Sequence, residues 1–136
     1  MWFRIKPALL AKLAEHVISI ERWPDLAAQA LIHLVRHQIT NVDIRTGDGS
    51  LGVPEAASFD AILVSAAFPE VPQPLTEQLA AGGRLVQPIG PGGNEMVTLY
   101  RKVDGRLRRV REVVPAYFVL LVGREAFPDD PDRQDR

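Results

Sequence analysis

The chain contains no cysteine among its 136 residues, so disulfide bonds, thiolate catalysis and cysteine-based zinc sites are excluded. No apolar run approaches the roughly 20 residues of a membrane-spanning helix. The first seven residues are not followed by the apolar segment of a signal peptide. The formal net charge is −1, which does not favour nucleic acid or an acidic membrane surface as a partner. We therefore expect a cytoplasmic protein that binds neither nucleic acid nor membrane.

What the chain does contain is enough apolar sequence for one compact core. Apolar residues make up 46% and charged residues 24% of the chain, as in ordinary soluble domains. The last residues are rich in proline, aspartate and arginine, a composition typical of disorder. We expect a single domain over residues 1–127 and a disordered tail over residues 128–136.

Strands and helices alternate in the first two thirds of the sequence. A nearly continuous apolar run at Ala61–Ser65 predicts a central strand that is buried on both faces. A helix is predicted over Pro72–Ala81, ended by Gly82 and Gly83. The other predicted elements before Gly90 are a helix at Pro7–Ala14, a strand at His16–Ile20, a helix at Leu26–His37, a strand at Asn41–Arg45 and a strand at Arg84–Ile89.

The last third changes to a pattern of antiparallel strands. Met96–Val103 and Arg106–Val114 flank Asp104-Gly105, which predicts a hairpin with a type I′ turn. A further strand is predicted at Ala116–Val122. The fold class that follows is α/β, with a mostly parallel sheet and an antiparallel C-terminal edge.

Two acidic residues follow consecutive predicted strands. Glu21 comes after the first strand, where open α/β sheets bind ligands, and its carboxylate can accept hydrogen bonds from both hydroxyls of a ribose. Asp48 follows the second strand between Gly47 and Gly49, which allow close approach of a flat ligand such as adenine. The structural alternatives are a helix-start acid favoured by the helix dipole and a plain Asp-Gly turn.

Other candidate residues favour structural roles. Ser65–Pro69 is small enough to line a ligand, or to make a tight connection. His33 and His37 share a helix face without a third ligand, so we expect no metal site. The arginines of the predicted hairpin are more simply explained as protection of a sheet edge than as a nucleic-acid surface.

The run Gly47–Gly52 reads G-D-G-S-L-G, and Ala66-Ala67-Phe68-Pro69 follows the apolar strand. Further motifs lie at Val17–Arg22, Phe59–Ser65, Val71–Pro72, Gln78–Val86 and Pro88–Gly90. Through these motifs, in this order, the segment Ala8–Phe127 resembles the protein-L-isoaspartate O-methyltransferases, which are class I S-adenosylmethionine-dependent enzymes.

This resemblance implies a Rossmann-like methyltransferase sheet and methyl transfer from S-adenosylmethionine to the isoaspartyl carboxyl of damaged proteins or peptides, which begins their repair. It implies that Glu21 holds the ribose, that Asp48 and Gly49 meet the adenine, and that Ala66 and Ala67 line the pocket near the sulfonium. Pro69 and Leu120 would lie at the substrate; Leu120 stands where the family usually has proline. No catalytic acid or base is implied.

The sequence also departs from the family pattern at its start. The usual first strand and its glycine-rich cofactor loop are replaced by Trp2–Pro7, which has no glycine. We therefore expect an N-terminally truncated domain with weak or absent cofactor binding. Trp2–Ile5 as a surrogate strand, or a strand-exchanged homodimer, would cover the sheet edge that is left. Alternatives to the repair enzyme are a non-enzymatic remnant or interaction module that keeps the scaffold, and methylation of a small carboxylic acid.

Overall fold

The computed structural model of the protein describes residues 2–131, with side chains from Lys6 onward. The chain divides into two compact units, Met1–Gly49 and Ser50–Arg136, which are described in turn. The expected tail over residues 128–136 lies partly outside the described residues. No helix within residues 2–131 is long and apolar enough to cross a membrane.

The first unit is a parallel pair of strands with two helices. Its elements are α1 (Trp2–Ala11), β1 (Val17–Glu21), α2 (Pro24–Arg36) and β2 (Val42–Thr46). Pro24 occupies the start of α2, where a missing N–H is no loss, and Asp25 lies in the first turn, where the helix dipole favours an acid. α2 buries Ala27, Ala30 and Leu34, whose three- and four-residue spacing places them on one face.

Asn41 connects α1 to the strand pair. Its side-chain amide donates to the backbone carbonyls of Ala11 (2.8 Å), Ala14 (3.1 Å) and Glu15 (3.3 Å), which follow or end the helix. Its own carbonyl accepts from the N–H of Val17 at 2.9 Å, at the first residue of β1. The side chain of Asn41 therefore satisfies the helix end, and its backbone carbonyl fixes where the strand pairing begins.

The second unit contains a four-stranded sheet in the order β3-β4-β5-β6. β3 pairs with β4 in parallel, and β4–β5 and β5–β6 pair antiparallel. Leu75, Leu79 and Leu85 form its buried cluster. A short 3-10 turn at Gly49–Leu51 begins at the last residue of the first unit. The other elements of the second unit are a 3-10 turn at Pro54–Ala56, β3 (Phe59–Leu63), α3 (Gln73–Gln78), β4 (Leu79–Ile89), β5 (Glu95–Val103) and β6 (Arg106–Ala116).

The predicted change from parallel to antiparallel pairing is confirmed, and so is the hairpin. Asp104 and Gly105 have φ of 51° and 75°, the positive values that a type I′ turn requires at both centre positions. The described strands form two separate sheets, β1-β2 and β3-β4-β5-β6.

The predicted central position of the apolar strand is wrong. β3 is an edge strand among the described residues, paired only with β4, and 46% of the Leu63 surface is exposed. The sequence prediction failed because a continuous apolar run specifies burial without specifying which neighbour provides it.

Three further predicted elements differ from the structure. The helix expected over Pro72–Ala81 ends at Gln78, and Gly82 and Gly83 lie within β4, where Gly82 has a φ of 76°. The strand expected at Ala116–Val122 is replaced by isolated bridges at Leu120 and Val122. Trp2–Ile5, considered as a surrogate strand, is part of α1.

Candidate functional site

Glu21 is the last residue of β1, where the chain turns into α2. Its backbone carbonyl accepts from the N–H of Gly47 at 3.0 Å, and its Oε1 accepts from the N–H of Trp23 at 3.1 Å. The carboxylate is thereby fixed at the turn. Because a carboxylate offers about four acceptor positions, this one N–H leaves capacity for the two hydroxyls of a ribose.

Asp48 follows β2 beside this turn, since Glu21 pairs with Thr46 and bonds to Gly47. The structure therefore brings the two predicted acids to the same end of the β1–β2 pair. Asp48 is half-buried. This is the arrangement that the sequence predicted from two consecutive strand ends.

The glycines that flank Asp48 are not required by the packing of the chain itself. Neither Gly47 nor Gly49 has a positive φ. A Cβ at Gly47 would meet only Ile20 Cγ2, at an ordinary 3.9 Å, and one at Gly49 would meet nothing within 4 Å among the described residues. Open space beside Gly49 fits a flat ligand at the backbone, so these residues fit the adenosine part of S-adenosylmethionine.

Gly52, at the other end of the run, is required by packing. It has a φ of 63°, and a Cβ there would overlap the side-chain amide of Gln78. Gln78 accepts from the N–H of Val53 at 2.7 Å and donates to the carbonyl of Leu51 at 2.9 Å. This role of Gln78 was not predicted from the sequence, although a glutamine on a short helix after a glycine run is a usable signal.

Ser50, the first residue of the second unit, is hydrogen-bonded to a distant segment of the same unit. It is fully buried, and its hydroxyl accepts from the N–H of Glu125 at 3.2 Å. Together with Gln78, it fixes the second half of the glycine run against the unit that carries the four-stranded sheet. The three hydrogen bonds of these two side chains leave little freedom to the loop backbone from Ser50 to Val53.

Ala67 and Leu120, which were predicted from different motifs, lie side by side in the second unit. Ala67 donates its N–H to Val119 at 2.7 Å and accepts from the N–H of Leu121 at 2.8 Å, so the two segments form a parallel bridge. Ala67 is fully buried and Ala66 half-buried, whereas Pro69 is exposed. In this unit, a residue predicted to line the cofactor pocket, Ala67, therefore lies beside a residue predicted to contact the substrate, Leu120.

The glycine-rich loop over residues 90–93 packs on Leu120. Gly92 has a φ of 105°, and a Cβ there would lie 2.7 Å from Leu120 Cδ2. The loop needs glycine for its close approach to this leucine. Leu120 is half-buried under it.

Glu95 holds the same region together and was also missed. It is almost fully buried, and its two carboxylate oxygens accept from the N–H groups of Asn94 and Phe118, each at 3.1 Å. The buried charge thus ties the glycine loop to the segment before Leu120. A glutamate at the start of a strand gives no sequence signal for such a role.

Gln87 is a second buried amide near the connection after β3. Its Nε2 donates to the carbonyl of Glu70 at 2.8 Å, while its Oε1 is buried without a hydrogen-bond partner in the described chain.

Within residues 2–131, no group of three His, Asp or Glu side chains is placed to hold a metal ion.

The fold is that of class I methyltransferases, as two solved structures show. One solved protein-L-isoaspartate O-methyltransferase superposes with a TM-score of 0.74 at 30% identity, over 82% of this chain and 35% of that one. A second, from Plasmodium falciparum and described as a putative protein-L-isoaspartate O-methyltransferase in complex with S-adenosyl-L-homocysteine, gives 0.68 at 28% identity, over 87% and 57%.

Sequence comparison identifies the family. The family model for protein-L-isoaspartate(D-aspartate) O-methyltransferase matches residues 5–126, and the chain belongs to this family. It is 45% identical over 120 residues to the protein-L-isoaspartate O-methyltransferase of Methanoculleus marisnigri, covering 86% of this chain and 53% of that protein. It is 50% identical over 117 residues to that of Anaeromyxobacter dehalogenans, covering 84% and 56%. The chain spans about half the length of these curated relatives.

Proposed function

We propose that this chain acts in protein repair, in the transfer of a methyl group from S-adenosylmethionine to the isoaspartyl carboxyl of damaged proteins or peptides. The observation that carries the proposal is the junction of Glu21 with Gly47–Gly49. An acid with spare acceptor capacity lies there beside glycines that the chain does not need for its own packing. Family membership over residues 5–126 supports the same reaction.

The proposed roles follow the family resemblance residue by residue. Glu21 binds the ribose hydroxyls, and Asp48 with Gly49 binds the adenine. Ala66 and Ala67 line the space near the sulfonium. Substrate contacts would come from Pro69 and Leu120, the latter held by its bridge to Ala67.

The chemistry needs alignment more than acid–base catalysis. S-adenosylmethionine supplies an activated methyl group when bound. An isoaspartyl carboxyl has a reference pKa near ~3.9 and is already ionised at neutral pH, so no general base is required. Holding the carboxylate in line with the methyl group supplies most of the rate enhancement.

Calorimetric titration with S-adenosylhomocysteine tests the binding part of the proposal. Glu21→Gln keeps the side-chain shape and removes the charge, and we expect it to weaken binding about tenfold or more, because a charge-assisted hydrogen bond contributes about 1.5–3 kcal/mol. Glu15→Gln, at an exposed position of the same unit, is the matched control and should leave the affinity within about twofold. Equal affinity of wild type and Glu21→Gln would remove Glu21 from the site.

Radiolabelled methyl incorporation tests the reaction. An isoaspartyl peptide should accept methyl groups, its aspartyl twin of the same sequence should not, and Glu21→Gln should lower the rate. Binding of S-adenosylhomocysteine without incorporation would instead identify a non-enzymatic module that keeps the scaffold. Incorporation into small carboxylic acids at the rate of the peptide would change the substrate class.

We also propose a strand-exchanged homodimer. β3 presents an unpaired edge among the described residues, and its Leu63 is exposed, which favours pairing with a strand of a second copy. Light scattering after size exclusion should give a dimer, converted to monomer by Leu63→Lys and unaffected by Leu13→Lys on an exposed helix-end position. A sharp wild-type monomer would rule out the exchange.

The cytoplasmic location and the lack of nucleic-acid and membrane partners stay predictions. Cell fractionation tests the location, and titration with a single-stranded oligonucleotide tests nucleic-acid binding.

A further inference from the structure

Three arginines lie directly opposite one another on neighbouring strands of the second unit. Arg84 on β4 is paired with Arg101 on β5, and Arg101 is paired with Arg108 on β6. All three side chains are exposed. We call this set the arginine row.

The arginine row lies on the face of the sheet opposite the buried cluster. Leu85, Tyr100 and Leu107 each adjoin one of the arginines in sequence, and all three belong to or pack against the cluster of Leu75, Leu79 and Leu85. Because successive residues of a strand point to opposite faces, the three arginines point the other way. They share one open face at neighbouring strand positions.

The row is not neutralised by the chain. The Nε of Arg101 donates to the carbonyl of Gly82 at 3.3 Å, and none of the three has a carboxylate partner among residues 2–131. The carboxylate of Glu112, on β6, pairs instead with Arg109 at 3.1 Å. Like charges directly opposite each other on a sheet are destabilising, so the row carries a cost that an external anion would relieve.

Protection of a sheet edge explains only part of this arrangement. Charged side chains on an edge strand prevent unwanted pairing, and this accounts for Arg108 on β6. It does not account for Arg84 and Arg101, because β4 and β5 are inner strands of the sheet. Two of the three arginines of the row therefore lie on inner strands, where protection of a sheet edge has no role.

We propose that the arginine row is a docking surface for an extended acidic segment of another protein. Guanidinium groups bind carboxylates in a bidentate geometry. Because neighbouring strands lie about 4.7–4.9 Å apart, adjacent arginines of the row can bind neighbouring carboxylates of one extended segment. Arg106, two residues before Arg108 on the same strand, extends the positive charge along β6. A single-stranded nucleic acid fits less well, because the paired positions of the row contain no aromatic side chain on which bases could stack.

Fluorescence anisotropy with a labelled oligoglutamate peptide tests this proposal on the full chain. The triple variant Arg84→Gln/Arg101→Gln/Arg108→Gln should bind the peptide about tenfold more weakly than wild type, as three exposed ion pairs would give. The control variant Lys12→Gln/Arg36→Gln/Arg109→Gln makes the same change in net charge at other exposed positions and should stay within about twofold of wild type.

Three outcomes would overturn the proposal. The first is an equal loss of affinity in both triple variants, which would mean attraction by net charge alone. The second is tighter binding of a single-stranded oligonucleotide than of the peptide. The third is no measurable peptide binding by wild type at about 0.05 M salt, where screening is weak. If the triple variant unfolds in circular dichroism, the single variant Arg101→Gln replaces it, with an expected loss of about twofold.

Discussion

The glycines of the Gly47–Gly52 run have different structural roles. Gly52 is fixed by its own chain, through a positive φ and the adjacent amide of Gln78. Gly49 has neither constraint. Sequence alone predicts the run and its turn, but it cannot separate these two kinds of glycine, because both are written with the same letter and only the contacts differ.

Gly52→Ala should therefore destabilise the protein, and Gly49→Ala should not. A left-handed backbone costs an alanine about 1–2 kcal/mol, and the overlap with Gln78 adds to that loss. Urea unfolding measures both variants, with an expected loss of about 2 kcal/mol or more for Gly52→Ala and less than about 0.5 kcal/mol for Gly49→Ala. Equal losses would contradict the distinction. S-adenosylhomocysteine binding should show the opposite order, because only Gly49 adjoins the proposed adenine.

Tyr100 makes stability depend on pH in the alkaline range. Burial raises the pKa of its phenol above the usual 10.0; Arg109 opposes this and Glu112 adds to it. Since the folded-state pKa is higher than the unfolded one, the contribution of Tyr100 is fully present below pH 10.0 and is lost as the pH rises through the folded-state value.

Denaturant unfolding above pH 10.0 checks this effect. Tyr100→Phe should flatten the decline of unfolding free energy with pH, because the variant has no phenol to ionise. Tyr117→Phe, at a position that is 84% exposed, should leave the decline unchanged. An identical slope for wild type and Tyr100→Phe would mean that other groups cause it.

At the scale of the elements, Lys102 determines how α3 ends. Its ammonium donates to the carbonyls of Thr76 (2.9 Å), Glu77 (3.3 Å) and Leu79 (2.7 Å), which a helix end leaves without intrahelical partners. The sequence predicted a longer helix ended by glycines. The contact that ends it comes instead from β5, which is more than 20 residues away in sequence.

Lys102→Met keeps the length of the side chain and removes the three hydrogen bonds. We expect a loss of about 1–3 kcal/mol of unfolding free energy, because the carbonyls at the helix end lose a charged donor. Lys12→Met, at an exposed position, should change stability by less than about 0.5 kcal/mol. A loss in Lys102→Met no larger than this control would show that water replaces the ammonium without cost.

The strands show what a sequence pattern can predict. The hairpin was predicted correctly because Asp104-Gly105 specifies its turn locally. The position of β3 was not, because an apolar run does not state which strand lies beside it. The expected strand at Ala116–Val122 failed for a similar reason: after Ala116 the chain is held by Glu95 and by the bridge to Ala67, which are contacts distant in sequence.

At the scale of the whole molecule, the candidate residues lie in two units. Glu21, Asp48 and Gly49 belong to Met1–Gly49, and Ala66, Ala67, Pro69 and Leu120 belong to Ser50–Arg136. The proximity of Glu21 and Asp48 was predictable because parallel strands end at the same side of a sheet. The structural roles of the buried residues Gln78 and Glu95 in the second unit were not, because they arise only when distant segments meet.

The whole chain is therefore proposed to recognise the adenosine part of the cofactor more fully than its methionine part. The G-D-G run and Glu21 supply contacts for adenine and ribose, while Trp2–Pro7, predicted to replace the family's glycine loop, contains no glycine and is part of α1. The affinity for the cofactor should then come almost entirely from the adenosine.

The most direct measurement is a pair of titrations of the ¹⁵N-labelled chain, one with 5′-methylthioadenosine and one with S-adenosylhomocysteine, followed by NMR. The two dissociation constants should lie within about threefold of each other, and both titrations should shift the amides of Glu21, Trp23 and Gly47–Gly49. If S-adenosylhomocysteine binds more than about tenfold tighter, or if these amides do not shift, the affinity does not come mainly from adenosine contacts at Glu21 and Gly47–Gly49.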